Sequence, residues 1–138
     1  MRVRDRSMRE VTVARGRLVF DGQCGFCTRA TGWLRGLDRR QRVEIVPLQA
    51  PGAPESVGVT EADCLVSLRW QGEDGVRLSG AAAANAALAC ALGSRVPMLL
   101  YRLTSRLQER GYVWVAANRY RLRGVRPFCE SAPAECGR

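Results

Sequence analysis

The chain of 138 residues contains no histidine and no lysine. Without histidine, no imidazole is available as base or metal ligand. Without lysine, all 22 basic residues are arginine, and the formal net charge is +9. All-arginine usage fits a GC-rich coding sequence. The arginines are spread along the chain, and the few aromatics do not interleave with them as stacking platforms would. Nucleic-acid binding is therefore not expected; the charge serves solubility and favours acidic partners. Long apolar runs are also missing. No stretch approaches the ~20 residues of a membrane span. The longest small-apolar run, Ala81 to Leu92, is mostly alanine and is broken by Asn85. No apolar signal core follows the charged start of Arg2, Arg4, Asp5, Arg6, Arg9 and Glu10, so the expected location is the cytosol.

What is present is enough for one domain with a sizeable core, at 46% hydrophobic residues. Residues 1–15 read as a mobile extension in which Met8 offers an alternative start. Residues 16–124 read as the domain, and 125–138 as an irregular tail carrying Cys129 and Cys136. Six cysteines in a chain expected in the cytosol point first to redox or metal roles, because stable structural disulfides are uncommon there.

Two of the six form the centre of the pattern. Arg17-Leu18-Val19-Phe20 reads as a buried strand, and Asp21-Gly22 as the turn after it. Cys24-Gly25-Phe26-Cys27 follows, opening a helix from about Phe26 to Leu37. Phe26, Ala30, Trp33 and Leu37 recur at helical spacing and predict one buried side. Gly32 and Gly36 lie four apart and suggest close approach by another element. Val43 to Val46 reads as a second strand and Ala50 to Thr60 as a loop. Cys64 to Trp70 reads as a third strand, Gly72 to Gly75 as a hairpin turn, and Val76 to Leu78 as a fourth strand. Ser79 is placed to cap a helix through Ala81–Leu92, with Gly93 ending it. A further helix opens at Ser94 and Pro97, with Val96, Leu99, Leu100, Leu103 and Leu107 along one side. Gly111 stops it, and Tyr112 to Arg123 makes a last helix.

This order predicts an α/β fold of thioredoxin-like type: a mixed four-stranded sheet flanked by helices, with extra helices at the C-terminal end. A crossover through the first helix makes the first two strands parallel.

A C-x-x-C at a strand-to-helix turn suits thiol–disulfide exchange. The first cysteine sits where unpaired helix N–H groups favour a thiolate, and the thiolate is the nucleophile. Cys24 is expected to be exposed and to attack, forming a mixed disulfide. Cys27, one turn in, then resolves it and releases the reduced product. Asp21 has three readings. It caps the helix by accepting from the Cys24 N–H; it moves protons for Cys27; or its charge opposes Cys24 ionisation.

Phe20-Asp21-Gly22-Gln23-Cys24-Gly25-Phe26-Cys27 resembles the signature of the DCC family of thiol-disulfide oxidoreductases, with its Asp-x-x-Cys-x-x-Cys pattern. Trp33-Leu34, Asp38-Arg39, Val46-Pro47-Leu48-Gln49, Gly80, Tyr112 and Ala117-Asn118-Arg119-Tyr120 also fit it. The resemblance covers roughly Leu18 to Arg123. It implies a thioredoxin-like fold and dithiol–disulfide activity on a protein or small-molecule disulfide, with an unspecified electron donor and no cofactor. One departure stands out. Thioredoxin-like proteins usually carry a cis-proline just before the third strand, whereas Thr60-Glu61-Ala62-Asp63-Cys64 has no proline, so a trans loop is expected. Gly25, Phe26, Asp63 and Cys64 are the candidate substrate-binding residues.

The other cysteines leave alternatives open. Cys64 and Cys90 read as small buried hydrophobes. Cys129 and Cys136 read as a local disulfide, a second redox pair or free thiols. Zinc held by Cys24, Cys27, Cys129 and Cys136 is the main metal alternative, although C-x6-C is not a usual zinc half-site. The remaining alternative is a binding module that keeps the fold without turnover.

Overall fold

The computed structural model describes residues 15–137. The extension expected over residues 1–15, with Met8, lies outside the described residues apart from Arg15. The Arg15 carbonyl accepts from the Glu73 amide at 2.9 Å.

The sheet runs in the order β2-β1-β3-β4. Strand β1 (Gly16–Phe20) is central. It pairs in parallel with β2 (Val43–Pro47) and antiparallel with β3 (Arg69–Gly72), which pairs antiparallel with β4 (Arg77–Ser79). Leu18 lies opposite both Ile45 and Trp70. The strand alternates, so Leu18 and Val19 face opposite sides. Leu18 joins Trp70 and the alanines of α4 (Gly80–Leu92); Val19 joins Leu48, Val57 and Cys64. Helices therefore cover both faces of a mixed four-stranded sheet, the thioredoxin-like arrangement that the element order implies.

Helix α1 (Gly25–Leu37) forms where expected, but its buried side is rotated. Thr31 is its buried residue, flanked by half-buried Cys27 and Leu34, while Trp33 is 62% exposed and Leu37 and Ala30 are also exposed. Leu34 packs on the Trp70 cluster, so the Cys27–Thr31–Leu34 line turns inward. Among the described residues nothing comes within 4 Å of a methyl group placed on Gly32 or Gly36, so no described element makes the close approach expected there.

The third strand starts later than expected. Glu61–Val66 is a helix, α3, preceded by the short α2 (Ala53–Ser56). The reason lies at Thr60. Its hydroxyl accepts from the Asp63 amide at 3.2 Å, and the Asp63 carboxylate accepts from the Thr60 amide at 3.0 Å. This reciprocal box satisfies two of the orphan donors of a helix start and overrides the strand preference of Leu65 and Val66.

Gly93 ends α4 in the left-handed conformation, at φ 65°. Ser79 precedes α4 as expected, but its side chain makes no capping bond. Glu109 of α5 (Val96–Asn118) serves instead, accepting from the Ala82 amide at 3.2 Å and from the Tyr101 hydroxyl at 2.9 Å. Helix α5 runs through Gly111, and its break from helical geometry falls at Thr104. There the hydroxyl donates to the Leu100 carbonyl at 2.7 Å, a back-bond that bends helices. The side carrying Val96, Leu99, Leu100, Leu103 and Leu107 faces outward, with Leu103 82% exposed. After α5 come a short helix, α6 (Phe128–Ser131), and a 3-10 turn, Pro133–Cys136.

Candidate active site

Strand β1 ends at Phe20, and the chain turns through Asp21 and Gly22 into α1. Cys24 is the N-cap of that helix. Its sulfur accepts from the Cys27 amide at 3.2 Å, and the pair is joined as a disulfide. The C-x-x-C thus stands at a helix N-terminus, where backbone donors and the dipole favour negative charge on sulfur. Cys24, expected to be exposed, is completely buried, while Cys27 is partly exposed. The segment after α5 lies against the residues on either side of Cys24. Val125 donates its amide to the Gly25 carbonyl at 3.2 Å, and Cys129 donates to the Gly22 carbonyl at 2.9 Å.

Asp21 does not cap α1 with its carboxylate. The Cys24 amide donates to the Asp21 backbone carbonyl at 3.2 Å instead. The carboxylate, only 3% exposed, is surrounded by donors. Oδ1 accepts from the Gln23 amide at 3.0 Å and from Gln49 Nε2 at 2.9 Å. Oδ2 accepts from the Tyr120 hydroxyl and pairs with Arg119 Nη2 at 3.4 Å. Arg119 is held in turn by the Leu65 carbonyl at 2.7 Å. Loss of hydration, followed by the bond to Asp21, pushes the Tyr120 hydroxyl above its usual range. Gln49, Arg119 and Tyr120 had no assigned role from spacing alone. The signal was their place in the Val46–Gln49 and Ala117–Tyr120 segments of the family pattern.

A cavity of about 80 Å³ opens beside this network, lined by Asp21, Phe26, Cys27, Cys64, Tyr112 and Arg119 among others. Among the candidate substrate-binding residues, Phe26 and Cys64 therefore meet Cys27 and Asp21 at one cavity. Gly25 has its carbonyl taken by Val125. Asp63 is turned to the start of α3, where its bonds to Thr60 hold its carboxyl below the usual range. Cys64 comes from α3 rather than from a strand, and burial raises its thiol. No peptide bond among the described residues is cis.

Cys129 and Cys136 form a second disulfide, and Cys64 and Cys90 are buried outside both disulfides. The four sulfurs of the zinc alternative are thus joined as two separate disulfides. No helix among the described residues is long and apolar enough to cross a membrane.

No curated protein and no solved structure matches the chain. The family model of the DCC1-like thiol-disulfide oxidoreductases matches residues 18–125, from the buried strand through the C-x-x-C to the Tyr120 that meets Asp21. That span takes in most of the chain and every element of the site but the second disulfide, and the chain belongs to the DCC1-like thiol-disulfide oxidoreductase family.

Proposed function

We propose that the chain reduces disulfides through Cys24 and Cys27, in a reducing compartment such as the cytosol. One observation carries this reading: a Cys24–Cys27 disulfide at the start of α1, with the Cys27 amide donating to the Cys24 sulfur. In the reduced protein the same donor and the helix dipole stabilise a Cys24 thiolate. That thiolate attacks a substrate disulfide, one substrate sulfur leaves, and Cys24 is left in a mixed disulfide. Cys27 then attacks Cys24, frees the second substrate thiol and restores the disulfide seen here. A dithiol donor must then return two electrons.

Asp21 is proposed to exchange the proton of Cys27 during resolution, relayed through the cavity that both residues line. Gly25 and Phe26 are proposed to face the substrate, with Cys64 flooring the cavity. Asp63 is proposed to act through α3, whose first turn it holds.

The test is equilibration of the Cys24–Cys27 pair with glutathione redox buffers, together with Cys27→Ser as a substrate trap. A measurable two-electron couple and mixed disulfides mapped to Cys24 are the expected results. Absence of any couple would reject the activity. Complete burial of Cys24 favours one second reading, a non-catalytic binding module, and that is what a protein without the couple would be.

A further inference from the structure

Cys24 is buried by its own chain. After α5, Gly124 and Val125 cross the first turn of α1 at van der Waals contact. A methyl group on Gly124 would overlap the Gly25 backbone, and one on Gly25 would meet the Val125 carbonyl. The segment then stays docked. Phe128 donates its amide to Thr28 Oγ1 at 3.1 Å, and its ring meets Phe20 edge-on at 5.7 Å. The Arg35 guanidinium covers the same ring at 5.2 Å. Cys129 Sγ lies 2.6 Å from where a Gly22 methyl group would stand and 3.6 Å from Gln49 Oε1. Gln49 in turn holds Asp21. Residues 124–137 thus form a strap across the Asp21–Cys27 turn.

Beyond the peptide bond at Gly124, nothing covalent among the described residues ties the strap to the body. Its shape is fixed internally: the Cys129–Cys136 disulfide, at a sequence separation of 7, closes one small loop around α6 and the 3-10 turn. Each of these elements has four residues. Elements so short do not persist without an external constraint.

We propose that Cys129–Cys136 is a second redox site, one that controls access to Cys24. A dithiol reductant transfers two electrons to it in two exchange steps. The reductant becomes a disulfide, and Cys129 and Cys136 become thiols. The loop then loses its constraint, the strap undocks, and Cys24 opens to substrate. Reoxidation restores the cover. Both cysteines are buried in the docked strap, Cys129 at 2% and Cys136 at 5% exposure, so the reductant reaches them when the strap, held by hydrogen bonds and ring packing, opens locally, and reduction then keeps it from docking again. Its use as a gate rests on the oxidoreductase reading above; the masking itself does not.

The experiment measures capture of the Cys24 thiol by an aromatic disulfide reagent in Cys27→Ser, with labelled Cys24 identified by mass mapping. Adding Cys129→Ser and Cys136→Ser should speed capture by about 50-fold, the chain-entropy value for releasing so small a loop. Gly124→Ala, in the Cys27→Ser background with the second disulfide intact, should also speed it, because the overlap with Gly25 lifts the strap. Equal rates in the serine variants would overturn the proposal, and so would a Gly124→Ala rate no faster than the parent. The Gly124→Ala comparison decides the matter if the serine variants fail to fold. Capture needs no turnover. An unmasked Cys24 without a redox couple would sink the oxidoreductase reading and leave the masking in place; a working couple with unchanged capture would do the reverse.

Discussion

Replacing Asp21 by Asn tests the anchor of the site. The carboxylate accepts from four groups, two on each oxygen: the Gln23 amide and Gln49 on one, Tyr120 and Arg119 on the other. An asparagine can keep its oxygen toward Gln23 and Gln49. Its NH2 then faces the Arg119 cation and the Tyr120 hydroxyl, and the anion that paired with them is gone. Loss of a hydrogen bond to a charged group costs about 1.5–3 kcal/mol, and breaking a buried ion pair about 3–5 kcal/mol. Arg119 keeps the Leu65 carbonyl and its side chain is 13% exposed, which lowers the second figure. The expected loss is therefore about 3 kcal/mol, or a fall in Tm of roughly 10 °C for a chain of this size. Urea and thermal melts of the oxidised protein measure it. A double-mutant cycle with Tyr120→Phe should return a coupling of about 1–2 kcal/mol. A change below about 0.5 kcal/mol, or no coupling, would refute the network as an anchor. If stability falls while exchange rates keep their pH profile, the proton-handling role is wrong and the anchor stands.

Three other outcomes follow from the same structure. Burial lifts the Cys90 thiol from 9.0 to about 11, so above pH 9.0 the unfolded chain ionises first and the folded state alone keeps the proton. Stability should fall as pH rises across that window, by no more than about 3 kcal/mol, and Cys90→Ala should remove this part of the slope in urea titrations at each pH. Thr60→Ala should cost about 1 kcal/mol and raise amide exchange within Glu61–Val66; unchanged protection there would mean that the Thr60–Asp63 box does not hold α3. Leu103→Glu should change stability by less than about 0.5 kcal/mol in denaturant melts, because the side chain is exposed; a loss of 2 kcal/mol or more on the ~1 kcal/mol scale of ordinary substitutions would show that this side of α5 is buried.

The mixed four-stranded sheet, the parallel β1–β2 pair and the position of the C-x-x-C were legible because each rests on local signals: an apolar run, a turn dipeptide, a helical period. The errors share a cause. Leu65 and Val66 look like strand residues, yet the Thr60–Asp63 capping box just before them decides their conformation. Trp33 and Leu37 look like core, yet the helix is oriented by what meets Cys27, Thr31 and Leu34. Periodicity reports that a helix has sides, and only packing says which side is covered. The roles of Asp21, Gln49 and Tyr120 were illegible for a related reason. They are 28 and 99 residues apart from Asp21 in sequence, and no spacing rule joins them. The crossing of Gly124 over Gly25 joins segments far apart in the chain, which composition does not record.

Helix α4 has a bearing on chemistry that it never touches. Its Ala83, Ala86 and Ala87 are completely buried between the sheet and α5, and α5 carries Tyr112 and leads directly into Arg119 and Tyr120. Tyr112 reaches across to accept from the Leu68 amide at 2.8 Å. A column of methyl groups is the thinnest spacer a helix can offer short of glycine. It sets the gauge between the part of the molecule that holds the C-x-x-C and the part that brings Tyr120 and Arg119 to Asp21. Widening the column by a single valine would leave every active-site residue in place in the sequence and move the two parts apart in space. The spacing of the site in this chain is thus set by residues that touch none of its polar groups.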